Sequence, residues 1–381
     1  MTSHDAPPRR ARDVRELALA FLRLGTTAFG GPVAHIAMME QEFVRRRAWL
    51  SREEFLDLVG AAVLIPGPSS TELAIYLGYR RAGWRGLLVA GFCFILPAAL
   101  MVTAVAWAYV RYGQLPAVSG MLYGVKPVII AIVAQALLVF GRTAVRSAWL
   151  AAIGIAAAFA SALGVSPVLV LFAAGAVCAA ARAHPGRRMA AWIGPAPLGA
   201  SAVLAAPAGL LKLFLVFLKV GALVFGSGYV LLAFLRGDLV EGTHWLTEPQ
   251  LIDAVAVGQF TPGPVFTTAT FIGYIVAGVP GALVATIGIF LPSFLLVAVS
   301  GPLIPRVRRS RIAGAFLDGV SVAAVALMGV AGVQLGRAAI VDVPTALIAA
   351  ASAGGLCRWR VNSAWFVLGG GLLGALFHGL R

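Results

Sequence analysis

Apolar runs without a charged residue constrain this chain more than any other feature. Leu87 to Val110 and Ala282 to Ser300 contain no Asp, Glu, Lys or Arg, and Val128 to Phe140 is equally uncharged. As helices, and with their flanks, such runs are long enough to cross a hydrocarbon core of about 30 Å. Of the 381 residues, 60% are hydrophobic and 12% charged, roughly half the charged share of an ordinary soluble domain. No water-soluble fold hides that much apolar surface, so the bilayer is the solvent. The 44 Gly and 21 Pro then predict broken helices, which membranes tolerate where neighbours or water satisfy the freed backbone groups.

The net charge is +15, but Lys and Arg sit in short loops between apolar segments. That distribution reads as membrane topology and not as nucleic-acid binding. Cys93, Cys178 and Cys357 are isolated from one another and from any metal-ligand spacing, so neither a disulfide framework nor a metal site is expected. Met1 to Arg15 is polar and basic and lacks a small-residue cleavage site; a cytosolic tail is the expectation.

The chain repeats itself. FLRLGTTAFGG at Phe21 to Gly31 matches FLKVGALVFGS at Phe217 to Ser227, and the same register pairs Trp49-Leu50 with Trp245-Leu246 and Asp57 with Asp253. It also pairs Pro66-Gly67-Pro68 with Pro262-Gly263-Pro264. After one dropped residue, Gly78-Tyr79 meets Gly273-Tyr274, Ala82-Gly83 meets Ala277-Gly278, Leu96-Pro97 meets Leu291-Pro292 and Gly141-Arg142 meets Gly336-Arg337. So many matches in one register mark a duplication.

Basic residues in equivalent loops orient the copies. Arg45, Arg46, Arg47 and Arg52 face a second-copy stretch with Arg236, Asp238, Glu241 and Glu248. Arg80, Arg81 and Arg85 face an uncharged loop, whereas Arg111 stands against Arg306, Arg308, Arg309 and Arg311. Opposite biases predict copies inserted upside down relative to each other, an arrangement common among transporters. The expected fold is therefore an all-α polytopic membrane protein of two inverted-topology repeats, each with re-entrant or broken helices and about four full spans. The expected boundaries are a tail at 1–15, a first repeat at 16–188, a linker with one crossing at 189–209 and a second repeat at 210–381. In the first repeat, Phe55 to Tyr79 is expected to form a re-entrant hairpin with Pro66-Gly67-Pro68 at its tip. Crossings follow near Gly86 to Val110, Val118 to Phe140, Ala148 to Leu163 and Pro167 to Ala181.

Proline lacks an N–H and disfavours α geometry in the residue before it, so Pro-Gly-Pro stops one helix and starts another. Each new helix presents unpaired N–H groups, a positive dipole end and hydroxyls, Ser69, Ser70 and Thr71 in copy one and Thr267 and Thr268 in copy two. An oxyanion is the ligand such an end prefers. A single turn of this kind often only kinks a packed helix; matched breaks in inverted halves point to a transport site. Gly30, Gly31, Gly226 and Ser227 in the Phe-Gly turns join the candidate set, although small residues there also serve close packing.

Ionisable residues at membrane depth are expensive unless paired or hydrated. Arg23 and its mate Lys219, together with Lys126, are candidates to attract an anion; snorkelling is the competing role. Glu72, Asp318 and His35 are candidate proton or charge partners. Asp57 and Asp253 are expected near an interface, stabilising helix N-termini.

Phe29-Gly30-Gly31-Pro32 with His35 and Met39, Trp49-Leu50, both Pro-Gly-Pro turns and Gly83-Trp84-Arg85-Gly86 resemble the chromate ion transporter family in its long, two-domain form. The resemblance spans nearly the whole chain. It implies export of chromate from the cytoplasm across the bacterial inner membrane, driven by the membrane potential or the proton gradient rather than by ATP; the N-terminus is expected in the cytoplasm, as the tail suggests. A tetrahedral oxyanion is what the helix ends call for; chromate, as against sulfate, rests on the resemblance. Copy two departs from the pattern at Phe225-Gly226-Ser227-Gly228 and Val279-Pro280, so the halves would build a site unequally. The expected partners are a small inorganic oxyanion and the lipid bilayer, with no nucleic acid and no cofactor, and a homodimer is left open. An anion channel and a membrane oxyanion reductase are the competing classes. The chain has no GxxxxGK[ST] sequence for ATP.

Overall fold

The computed structural model describes residues 9–29, 31–113, 115–183, 209–224, 230–300, 310–358 and 363–379, and its regular structure there is entirely helical. Copy one comprises α1 (Arg9–Thr27), α2 (Gly31–Met39), α3 (Arg52–Leu64), α4 (Ser69–Tyr112), α5 (Pro116–Ala144), α6 (Ala148–Ala162) and α7 (Pro167–Ala183). Copy two repeats the order as α8 (Leu210–Leu223), α9 (Leu231–Leu235), α10 (Glu248–Phe260), α11 (Thr268–Ser300), α12 (Arg311–Ala339), α13 (Val343–Arg358) and α14 (Ser363–Gly379). Gly30, Gly226, Ser227 and the expected linker crossing lie outside the described residues.

The duplication is structural down to its irregularities. Leu17, Ala20, Phe21, Leu24 and Ala28 are the buried stripe of copy one's first helix, and their mates Leu213, Val216, Phe217, Val220 and Val224 are buried in copy two. Both stripes follow the helical period. A π-helical turn follows in each copy, at Glu40–Arg46 and Arg236–Gly242. Next come the left-handed residues Ala48 and His244, with φ of 48° and 54°. Then α3 opens on a capping box, Ser51 with Glu54, and α10 on another, Thr247 with Gln250; in each, two orphan donors of the first turn are satisfied reciprocally.

The Pro-Gly-Pro turns interrupt the helices as expected, with α3 ending at Leu64 and α4 starting at Ser69. A second break lies within α4. Ala82 and Gly83 leave helical geometry, Gly83 with φ 62° and ψ −145°, and Ala277 and Gly278 do the same in α11, Gly278 with φ 62° and ψ −150°. The chain therefore doubles back, and Gly78 and Gly86 allow the two arms to touch: a Cβ on Gly78 would sit 2.2 Å from the Gly86 carbonyl oxygen. The second arm of α4 is a full span. Trp84 and Trp107, both exposed, mark its ends about 35 Å apart at 1.5 Å per residue, the spacing of two aromatic interface belts.

Among the described residues, four helices are long and apolar enough to cross a membrane: Ser69–Tyr112, Pro116–Ala144, the stretch Val265–Ser300 and Arg311–Ala339. The other two crossings expected in each copy are helices of 15 to 17 residues, or about 23–26 Å at 1.5 Å per residue. The Gly164-Val165-Ser166-Pro167 turn shortens the copy-one pair, since it ends one helix and starts the next.

The repeats interlock. The α6–α7 hairpin of copy one packs on α12 of copy two, and the α13–α14 hairpin of copy two packs on α5 of copy one. At the centre α1 lies on α4, α8 on α11, and α4 on α11. Symmetry fails in the packing of the helices that precede the Pro-Gly-Pro turns. The re-entrant helix α10 is buried along most of its length and touches α5, α12 and α14, whereas its mate α3 packs mainly on α4 and leaves Leu56 and Val63 exposed.

Candidate functional site

The broken helix ends meet across the repeats. The Gly67 N–H donates to the Val224 carbonyl at 2.7 Å, and the Gly263 N–H donates to the Ala28 carbonyl at 2.9 Å. Gly67 and Gly263 are repeat mates, and so are Ala28 and Val224; two contacts that exchange partners in this way are the product of a local two-fold axis. Each Pro-Gly-Pro tip is thus seated on the end of the other copy's first helix. Glycine is needed at both tips, because φ is +135° at Gly67 and +92° at Gly263. A Cβ would also meet Glu72 Oε1 at 2.2 Å and Ser293 Oγ at 2.7 Å in the first case, and Ala98 Cβ at 2.6 Å in the second.

The copy-one tip is polar. His35, 1% exposed, places Nε2 3.1 Å from the Ala28 carbonyl and Nδ1 3.2 Å from Ser70 Oγ. A carbonyl only accepts, so Nε2 carries the proton in the neutral ring and Nδ1 accepts from the Ser70 hydroxyl. The Ala28 oxygen then holds both His35 and the Gly263 N–H. Pro68, Ser69 and Ser70 open the new helix, with the Thr71 and Glu72 N–H groups donating to the Pro68 carbonyl at 2.8 and 3.0 Å. Glu72 is fully buried; Ser293 Oγ donates to its Oε1 at 3.5 Å, while Glu72 Oε2 and Thr71 Oγ1 have no hydrogen-bond partner among the described residues. One turn on, the Tyr76 hydroxyl bonds Ser300.

Copy two is plainer. Pro262, Gly263 and Pro264 repeat the break, but Leu231 replaces His35, and the hydroxyls are turned onto their own backbone: Thr267 donates to Pro264 and Thr268 to Val265, both at 2.8 Å. Hydroxyls near both new helix starts were expected. The lone pairs of nearby carbonyls claim them in copy two, because a short 3-10 turn at Val265–Thr267 brings those oxygens within reach.

The structure separates the charged candidates. Lys219 is bound to Asp238 at 2.5 Å. Lys126 reaches Asp253 at 3.5 Å, and Asp253 also accepts from the Tyr109 hydroxyl at 2.9 Å. Asp253 is thus 2% exposed inside α10, where an interfacial helix-start charge was expected; the docking of α10 against α5 takes it there. Asp57 stays exposed. Asp318 is exposed beside α7, since the next residue, Gly319, packs on the Ala174 carbonyl; it does not join the tips. Arg23 is exposed and makes no ion pair among the described residues. Gly31, with φ +77°, starts α2 just past α1. Near the tips, sequence reading missed Ser293, although the repeat register reveals it as the mate of Ala98. No group of three His, Cys, Asp or Glu side chains could hold a metal among the described residues.

Duplicated, interlocked and broken at matched points around a buried polar cluster, these helices define the membrane-transporter class of fold. The chain belongs to the chromate transporter family, whose model matches residues 15–179 and again 211–375. It is 36% identical to the chromate transport protein of Cupriavidus metallidurans over 99% of this chain and 96% of that protein. It is also 36% identical to a probable chromate transport protein of Synechococcus elongatus over 89% of this chain and 88% of that one. With the chromate transport protein of Pseudomonas aeruginosa the identity is 31% over 95% and 92% of the two chains. No solved structure matches.

Proposed function

We propose that the protein is a secondary active transporter that exports a tetrahedral oxyanion, chromate foremost, across the bacterial inner membrane. The observation that carries this reading is the reciprocal pair of bonds, Gly67 to Val224 and Gly263 to Ala28, which gathers the broken helix ends at one locus. Half-helix N-termini are positive and rich in N–H donors, and anions bind there. Pro66 to Ser70 and Pro262 to Pro264 form the two tips, and His35 fixes the geometry of the first. The anion would be held mainly by the copy-one tip, where Thr71 keeps an unclaimed hydroxyl. The Phe-Gly turns at Gly30-Gly31 and Gly226-Ser227 complete the locus in this reading.

Glu72 regulates occupancy. Its carboxyl covers the same positive helix end that the anion requires, and no cation pairs with it among the described residues. Two negative charges cannot share that end at acceptable cost, so the anion enters when Glu72 is protonated and leaves as it ionises. Alternating access follows from rocking one repeat against the other about the fixed tips. The opposed loop charges support an N-terminus in the cytoplasm. Sulfate has the same shape and charge and is the natural competitor.

Counterflow in proteoliposomes tests the reading. Chromate-loaded vesicles should accelerate entry of labelled chromate, and sulfate should compete. Current without saturable exchange would instead make the protein a channel, and reduced chromium formed by the purified protein would make it an enzyme.

A further inference from the structure

The spaces beside the two first helices differ although their sequences are mates. Beside α1 opens a cavity of about 730 Å³ whose lining includes Arg23, Thr27, Arg45 and Arg46 together with Glu40 and Glu42. Arg23 has no ionic partner among the described residues. Arg45 reaches Glu40 at 3.5 Å and Arg46 reaches Glu42 at 3.1 Å, with the arginine side chains 71% and 59% exposed, so these contacts are weak and exchangeable. Burial opposes ionisation of Glu42, but Arg47 and Arg46 outweigh it and hold the carboxyl below its usual range.

In copy two the corresponding space is filled. Phe234 and Ala233, mates of Met38 and Ala37, are buried, and α9 packs on α12. Lys219, the mate of Arg23, is neutralised by Asp238. Glu241 and Gly242 stand where copy one has Arg45 and Arg46. The open space is the cationic one. Its floor, Thr27, adjoins Ala28, whose carbonyl holds the Gly263 tip. Arg23 lies four residues earlier on α1, about 6 Å along the axis at 1.5 Å per residue. The cavity thus runs from the arginine-bearing π turn to Thr27, and with three arginines against two glutamates its walls are net positive and attract anions.

We infer that this cavity is a capture site for a divalent oxyanion, separate from the tips, and that the structure is the state open to the arginine-rich side and shut on the other. The inference rests on the transport reading above and adds a direction to it: the anion is gathered where Arg23 is free and released where Lys219 is occupied by Asp238.

Chromate uptake by everted membrane vesicles, with the full chain and the arginine-rich face outward, tests it. Arg23→Gln should raise the KM for chromate at least fivefold with the maximal rate within twofold, and Arg23→Lys should restore most of the loss. Arg80→Gln, which removes a surface charge paired with Glu54 outside the cavity, should leave KM unchanged. In a Cys357→Ser background, an impermeant maleimide supplied to both faces of the membrane should label Ala37→Cys and not Ala233→Cys. Unchanged KM in Arg23→Gln alongside normal wild-type transport overturns the capture site alone, as does equal labelling of the two cysteines for the open state. Wild-type vesicles that move no chromate overturn the transport reading and this inference with it.

Discussion

At the scale of single residues, the tips concentrate the consequences. Glu72→Gln keeps the shape of the carboxyl and removes its charge. If Glu72 must be protonated for the anion to bind, wild-type affinity falls as pH rises, and the Gln variant should bind equally well across the range. Sulfate competition measured at several pH values checks this, because sulfate stays a dianion throughout. A pH profile identical in the two proteins would remove Glu72 from the mechanism. Gly263→Ala tests the seating of the second tip. A non-glycine residue at φ +92° costs about 1–3 kcal/mol, and the added methyl collides with Ala98. A lowered midpoint of thermal unfolding in detergent, together with impaired transport, is the expected result. Gly354→Ala should do far less, since no neighbour lies within 4 Å of its Cβ position and its φ is ordinary. His35 was visible in the sequence as an asymmetric histidine; that it bridges Ala28 and Ser70 was not, because those residues come together only when two broken helices are packed side by side.

At the scale of elements, much could be read directly. Proline chemistry placed the ends of α3 and the starts of α4 within a residue or two, since the missing N–H acts locally. The capping boxes at Ser51-Glu54 and Thr247-Gln250 were equally legible as S/T-x-x-E/Q patterns and went unread. Ser51→Ala should cost about 1 kcal/mol of stability with little change in transport, measured by unfolding and uptake on the same preparation; a transport loss as large as that of Gly263→Ala would show that α3 has a further role. The doubling back at Gly83 and Gly278 was a shared Ala-Gly motif without a predicted conformation. Its geometry depends on Gly78 touching Gly86 across the hairpin, a contact between residues that a continuous helix would separate by two turns. The π turns had no sequence signal that we can identify, and their matched positions have no physical account beyond the duplication itself.

At the scale of the whole molecule, the departure from symmetry matters most. The pair of half-buried Lys126 with buried Asp253, with the Tyr109 hydroxyl, fastens α10 to the first repeat, while Ser321 stands where a symmetric partner for Asp57 would require a lysine. Removing one member of a buried ion pair leaves an uncompensated charge and costs about 3–5 kcal/mol, whereas replacing both by apolar residues can be neutral. Lys126→Met should therefore destabilise the protein strongly, and Lys126→Met with Asp253→Leu should recover much of the loss. A thermal-unfolding double-mutant cycle measures the coupling. Additive losses would mean that the two side chains act independently. The lysine was a candidate to attract an anion, and a second-copy carboxylate holds it here.

The sequence by itself determined the solvent, the duplication and the breaks, because hydropathy, register and proline act on residues near each other in the chain. Opposed loop charge gave the inverted reading for the same reason. Only the tertiary structure decided which ends meet, that the hairpins α6–α7 and α13–α14 are exchanged, and that α10 packs against both repeats while α3 packs mainly on α4. Two copies of nearly the same local code cannot encode a difference in packing; that difference arises from contacts between residues far apart in the chain, such as Gly67 with Val224 and Lys126 with Asp253.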